Sequence, residues 1–185
     1  MTTPKEIFKN TMKVLKYLDT ILPNGSFVVI TGLVDGRILY KSMHDRIHPI
    51  GRSRNDVTYK DFFDYFDCLQ FSFLFFLSLS PILQRANQLS DVLAEIVKNH
   101  NNFKNFRLHF IGQLFVQVME YWRKKGGADW QIIEPADGFH DNQLGQQLTA
   151  KIIWDDIEKN FPEILGPVNP NNKKIKQIFG DQNGY

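Results

Sequence analysis

Phe27-Val28-Val29-Ile30-Thr31-Gly32-Leu33 is an uncharged, largely β-branched run set between Gly25 and Asp35-Gly36. Such a run suits a strand buried on both faces of a parallel sheet, with Asp35-Gly36 closing it in a turn. Upstream, Thr3 as N-cap, Pro4 at the first helical position and Glu6 three residues after the cap form a capping box. Ile7, Thr11, Leu15 and Leu18 follow at helical spacing, and Pro23-Asn24-Gly25 ends the helix.

Downstream, two further strand–helix units are predicted: Phe106 to Ile111 with a helix to about Lys125, and Trp130 to Ile133 with a helix from about Asp141 to Asn160. In the last helix Leu144, Leu148 and Ile152, with the shifted set Ile153, Ile157 and Phe161, form an apolar stripe, and Gly145 costs about 1 kcal/mol relative to alanine. Alternating strands and helices predict an α/β protein with a parallel sheet and helices on its faces. Nothing in the 185 residues separates a second domain.

The segment from Arg37 to Asp56 is polar and basic, with Arg37, Lys41, Arg46, Arg52 and Arg54 beside His44 and His48. It reads as a long loop at the carboxyl end of a strand, where Arg37, His44, Arg46 and His48 could meet an anionic group. A solvated loop with structural histidines is the competing reading. His44 and His48 have a His-x-x-x-His spacing, but no glutamate adjoins them, so no metal site is assigned. Lys173, Lys174 and Lys176 read as a solvated tail.

Charge excludes some functions. Lys and Arg total 22 against 20 for Asp and Glu, too even for a nucleic-acid footprint. The uncharged run from Phe71 to Leu83 is shorter than the roughly 20 residues that span a bilayer, and Pro81 interrupts it, so no transmembrane span is expected. Cys68 is the single cysteine, so no intrachain disulfide can form. The amino terminus lacks the apolar stretch of a signal peptide, which leaves the sequon Asn24-Gly25-Ser26 without consequence. No cofactor motif is evident.

Chemistry concentrates in Glu134-Pro135-Ala136-Asp137-Gly138-Phe139-His140. An acid and an imidazole three residues apart allow the carboxylate to take the Nδ1 proton of the ring, leaving Nε2 free to act as a base. Gly138 lets the backbone bend between them.

This block resembles the closing Asp-x-x-His block of the GDSL-type (SGNH) hydrolases, and within them the acyloxyacyl hydrolases. Three more strings support the match: Gly32-Leu33-Val34-Asp35-Gly36-Arg37, His44-Asp45-Arg46-Ile47-His48-Pro49-Ile50-Gly51 and Ile175-Lys176-Gln177-Ile178-Phe179-Gly180-Asp181-Gln182. The four strings lie in the order and spacing of that family's carboxy-terminal third.

The resemblance implies a flavodoxin-like three-layer sandwich, here incomplete with about three parallel strands where about five are usual. It also implies a lipase-like esterase that removes secondary acyl chains from the lipid A of lipopolysaccharide, with His140 as base and Asp137 as its orienting acid. The resemblance further implies a secreted or lysosomal/vesicular protein and a nucleophile that belongs to a Gly-Asp-Ser block. None of Ser26, Ser42, Ser53, Ser72, Ser78, Ser80 or Ser90 has that setting, and Asn55-Asp56 follows Arg54 rather than glycine, unlike the family's oxyanion asparagine. The expectation is therefore a missing amino-terminal segment that carries Gly-Asp-Ser, an isolated chain without esterase activity, and a bare sheet edge. A non-catalytic lipid- or partner-binding remnant and a general GDSL esterase are the alternatives.

Overall fold

The computed structural model describes residues 2–65 and 80–181. Cys68 and the greater part of the Phe71 to Leu83 run, residues 71–79, lie outside the described residues. Two units are distinguished, Met1–Ile153 and Trp154–Tyr185.

In the first unit, helix α1 (Pro4–Ile21) begins on the expected capping box: the Thr3 hydroxyl accepts the Glu6 N–H at 3.2 Å, and the Glu6 carboxylate accepts the Thr3 N–H at 2.8 Å. Strand β1 (Ser26–Thr31) pairs in parallel with β2 (Phe106–Ile111), with Ser26 opposite Phe106 and Thr31 opposite Ile111. The connection between them carries α2 (Gly36–Met43), α3 (Tyr59–Tyr65) and α4 (Ser80–Asn99). Helices α1 and α4 pack together, and α4 lies on the strand pair. Leu15 and Ile96 meet Phe106 and Leu108 in one core, with Val28 and Ile30 against it. At the end of α1 the Asp19 carboxylate accepts the Asn105 N–H at 2.7 Å, which pins the start of β2.

Helix α5 (Leu114–Lys124) follows β2, and α6 (Gln143–Asn160) runs across the boundary of the two units. A second core joins Leu39, Tyr40 and Met43 of α2 and Tyr59 and Phe63 of α3. Phe115, Val118 and Met119 of α5, then Ile132, Ile133 and Leu148, complete it. The result is a mixed α/β fold with seven α-helices and a two-strand parallel sheet among the described residues, an incomplete α/β sandwich.

Four expectations require correction. The predicted third strand, Trp130 to Ile133, is a 3₁₀ turn at Asp129–Ile132, followed by a single antiparallel bridge from Ile133 to Asp141. Ile132 and Ile133 are both fully buried in one core, which the alternation of a strand forbids. Side chains hold this turn: Gln131 Oε1 accepts both the Trp122 indole N–H and the Ala128 N–H.

The expected loop from Arg37 to Asp56 begins as α2, capped by Asp35 accepting the Arg37 N–H at 3.0 Å, and continues through a 3₁₀ turn at Pro49–Gly51. Strand β1 is half-buried along most of its length rather than buried on both faces.

In the second unit, Asn172–Phe179 forms α7 rather than a tail; its lysines are exposed, and Lys176 pairs with Asp181 at 2.7 Å. Among the described residues no helix is long and apolar enough to cross a membrane.

Gly145 has a steric reason to be glycine. A Cβ there would stand 2.4 Å from the Ile132 carbonyl oxygen and 3.0 Å from Asp141 Cβ. Gly145→Ala is therefore expected to destabilise the fold by about 1–2 kcal/mol, the overpacking cost exceeding alanine's helical advantage. A urea midpoint equal to or above that of the parent chain would contradict this.

Candidate acid–base site

Asp137 and His140 lie in a loop of residues 134–140 whose ends are joined. The Ile133–Asp141 bridge closes it, the Glu134 N–H donates to the His140 carbonyl at 2.8 Å, and the Gly138 N–H donates to the Glu134 carbonyl at 2.8 Å. Asn142 then starts α6, accepting the Gly145 N–H on Oδ1 at 2.9 Å while its Nδ2 donates to the Gln131 carbonyl at 2.8 Å. An asparagine just ahead of the apolar stripe of a helix is an N-cap signal.

Within this frame the Asp137 carboxylate divides its two oxygens. Oδ1 accepts the backbone N–H groups of Phe139 at 2.8 Å and His140 at 3.0 Å, and Oδ2 accepts Nδ1–H of the His140 ring at 2.7 Å. The contact places a proton on Nδ1, and in the neutral ring this leaves Nε2 as the acceptor. The His140 side chain is 72% exposed and that of Asp137 32%.

Partial burial pushes the Asp137 carboxyl up, but the hydrogen bond from the His140 ring, those from the two backbone N–H groups and the nearby imidazole outweigh it. They hold the carboxyl below the ordinary range. Asp141, next in sequence, is the opposite case. Burial raises its carboxyl above the ordinary range, more than the Thr149 hydroxyl and His140 lower it.

The other four sequence candidates separate in space. Arg37 is engaged by Asp35, its Nε donating to Oδ2 at 2.9 Å and its Nη2 pairing with the same carboxylate. It lines a cavity of about 310 Å³ at the carboxyl ends of β1 and β2, with Leu33, Asn87, Gln113 and Phe115.

His44 donates from Nδ1 to the Tyr40 carbonyl at 3.0 Å and stacks on the Tyr40 ring. Arg46 lies 3.8 Å over the Trp130 ring and, with Arg52, Asn55 and Pro135, lines a different cavity of about 430 Å³.

His48 is buried, 5% exposed. Its Nδ1 accepts the Ile50 N–H at 3.1 Å and its Nε2 faces the Ala136 carbonyl at 3.1 Å, which fixes the neutral Nε2–H tautomer. Its ring stacks on Phe62 with centroids 4.1 Å apart.

Tyr59 was not legible as part of this site. Its hydroxyl donates to the Pro135 carbonyl at 2.6 Å, and its ring occupies the space beside Gly138. Among the described residues no group of three or more His, Cys, Asp and Glu side chains is placed to hold a metal ion.

No family model matches the chain. It is 41% identical to the mouse and human proteins named acyloxyacyl hydrolase and 38% identical to the rabbit one, over 191 aligned positions. The alignment covers 100% of this chain and 33% of each relative, so the chain spans about a third of their length. The resemblance read from four short strings thus sits within an alignment that spans the chain from end to end.

Asp137 and Asp141 give a pH test with opposite signs. Carbon-detected titration is expected to place the Asp137 carboxyl below, and the Asp141 carboxyl above, the ordinary value of about 3.9. The stability tied to Asp137 is then present above the ordinary value and lost as pH falls through the lower folded value. That tied to Asp141 is present below the ordinary value and lost as pH rises through the higher one. Asp141→Asn should therefore raise the Tm at pH 7, with the gain vanishing in strong acid, and Asp137→Asn should lower it; equal signs would contradict the assignment.

Proposed function

We propose that this chain, a relative of the acyloxyacyl hydrolases over its whole length, supplies His140 as general base and Asp137 as orienting acid to a carboxylic-ester hydrolase that acts on lipid acyl chains. The supporting observation is the 2.7 Å Nδ1–H···Oδ2 bond, which leaves Nε2 exposed within a segment 41% identical to those enzymes.

In the proposed reaction a serine hydroxyl approaches Nε2, loses its proton to it and attacks the ester carbonyl. The imidazolium is stabilised by the Asp137 carboxylate and returns the proton to the leaving alkoxide. A carboxyl held below the ordinary range stays ionised throughout, as this role requires.

The nucleophile is assigned to a Gly-Asp-Ser block outside these 185 residues, since none of the seven serines here has that setting. The substrate implied by the resemblance is the secondary acyl ester of lipid A in lipopolysaccharide. Arg46 is the guanidinium best placed to meet its anionic headgroup. It lies over Trp130 in the cavity beside Pro135, which Arg52 also lines, whereas Arg37 is already paired with Asp35.

In an active enzyme containing this segment, His140→Ala is expected to lower kcat for acyl release from lipopolysaccharide by roughly 10⁴-fold or more, and Asp137→Asn by about 10⁴-fold, with KM little changed. Arg46→Gln should instead raise KM several-fold. The 185-residue chain alone should not label with a fluorophosphonate probe. If the His140→Ala enzyme keeps a tenth of its turnover, or if labelling of the chain is abolished by mutating one of its own serines, the proposal fails.

A further inference from the structure

The acid–base loop is held from behind by two side chains far away in sequence. Tyr59, 76 positions before Pro135, donates its hydroxyl proton to the Pro135 carbonyl at 2.6 Å. His48, 88 positions before Ala136, donates Nε2–H to the next carbonyl along at 3.1 Å. These are the two peptide groups immediately ahead of Asp137.

Both donors are themselves held. The Ile50 N–H occupies Nδ1 of His48 and so keeps the ring's proton on Nε2. The His48 ring is clamped between Phe62, stacked at 4.1 Å, and Tyr59, edge-on at 4.8 Å. Burial pushes the Tyr59 hydroxyl up from its ordinary value, so it remains a donor. On the far side of Asp137, Gly138 sits at φ +65°, where a Cβ would come 2.7 Å from Tyr59 Cδ1 and 2.9 Å from Phe63 Cζ. The same tyrosine therefore backs the loop before and after the carboxylate.

We infer that His48 and Tyr59 are positioning residues of the Asp137–His140 pair, fixing the Pro135 and Ala136 peptides so that the Asp137 carboxylate stays on Nδ1–H of the ring. The physical reason lies in how Oδ1 and Oδ2 are shared. One carboxylate serves two backbone N–H groups and one imidazole within four residues, and this geometry tolerates little rotation of the peptides that precede it. An imidazole exposed to water and released from the carboxylate is free to move its proton to Nε2, which removes the acceptor a nucleophile would need.

This inference rests on His140 being the base. Its readout is the state of the ring, so it fails or stands separately from the turnover test of that assignment.

The experiment uses the ¹⁵N-labelled 185-residue chain and long-range proton–nitrogen spectra of the imidazoles at a pH where His140 is neutral. The parent chain should show His140 mainly as the Nδ1–H tautomer. Tyr59→Phe keeps the ring and removes only the donor; His48→Met keeps the bulk and removes the other. Each is expected to lower the Nδ1–H to Nε2–H ratio of His140 by about three- to tenfold, the weight of one net hydrogen bond. His48→Gln, whose amide nitrogen stands near the place of Nε2, should restore it.

A purely structural role would move the melting temperature and leave the ratio alone. An unchanged ratio in a folded Tyr59→Phe chain overturns the inference, as does His48→Gln falling as far as His48→Met. Should His48→Met fail to fold, Tyr59→Phe decides the matter alone.

Discussion

Parallel pairing of β1 with β2 is the constraint from which the site follows. Two parallel neighbours cannot be joined by a hairpin; the chain must travel back across the sheet before the second strand can begin. Here that return carries α2, the His48 turn, α3 and α4. It brings Leu39, Met43, Tyr59 and Phe63 against the residues that follow β2, namely Val118, Met119, Ile132 and Ile133. The loop of residues 134–140 emerges directly from this core, so residues from the first third of the chain come to lie against a segment near its end.

Polar satisfaction then shapes the loop. A buried or half-buried carbonyl without a donor costs free energy comparable to a lost hydrogen bond, and a loop lying on a core has several to provide for. The Pro135 and Ala136 carbonyls receive side-chain donors, those of Glu134 and His140 receive backbone N–H groups from within the loop, and Ile132 receives Asn142 N–H at 3.2 Å. Asp137 is drawn into the same accounting. Its carboxylate satisfies two N–H groups of the turn as an Asx-type cap does, and the imidazole takes what is left of it. A single side chain thus closes the turn and orients the ring.

How far the sequence could be read depends on where each element's information lies. Helix α1 was legible down to its capping box because Thr3, Pro4 and Glu6 are neighbours, and β1 and β2 were legible as apolar runs between turn residues. The Asp137–His140 pair was legible for the same reason, its partners being three positions apart. Trp130 to Ile133 misled because two adjacent isoleucines look like strand material, whereas both serve one core from the end of a 3₁₀ turn and the single bridge after it.

Helix α2 was hidden by composition. Arg37 and Lys41 made the segment look like a loop, although Leu39, Tyr40 and Met43 recur at helical spacing and are buried together on one face. The burial of His48 could not be read from its surroundings in sequence, because its stacking partner Phe62 and its acceptor Ala136 are brought to it only by the tertiary fold.

The distribution of exposure across the site follows from what each group must do. His48 and Tyr59 are buried because holding a peptide in place requires donors that water does not compete for. The ring of His140 is largely exposed, and among the described residues its one hydrogen-bonding side-chain partner is Asp137, on Nδ1, an arrangement that suits the proposed role as a base. In that exposed setting the ring's pairing with Asp137 is weakened by solvent and contributes little to stability. Its strength would rise once a reacting ester and a nucleophile covered the ring, since the same 2.7 Å contact is worth several times more when water is excluded. In the proposed reaction the pair would therefore be modest at rest and gain weight only as substrate and nucleophile covered it.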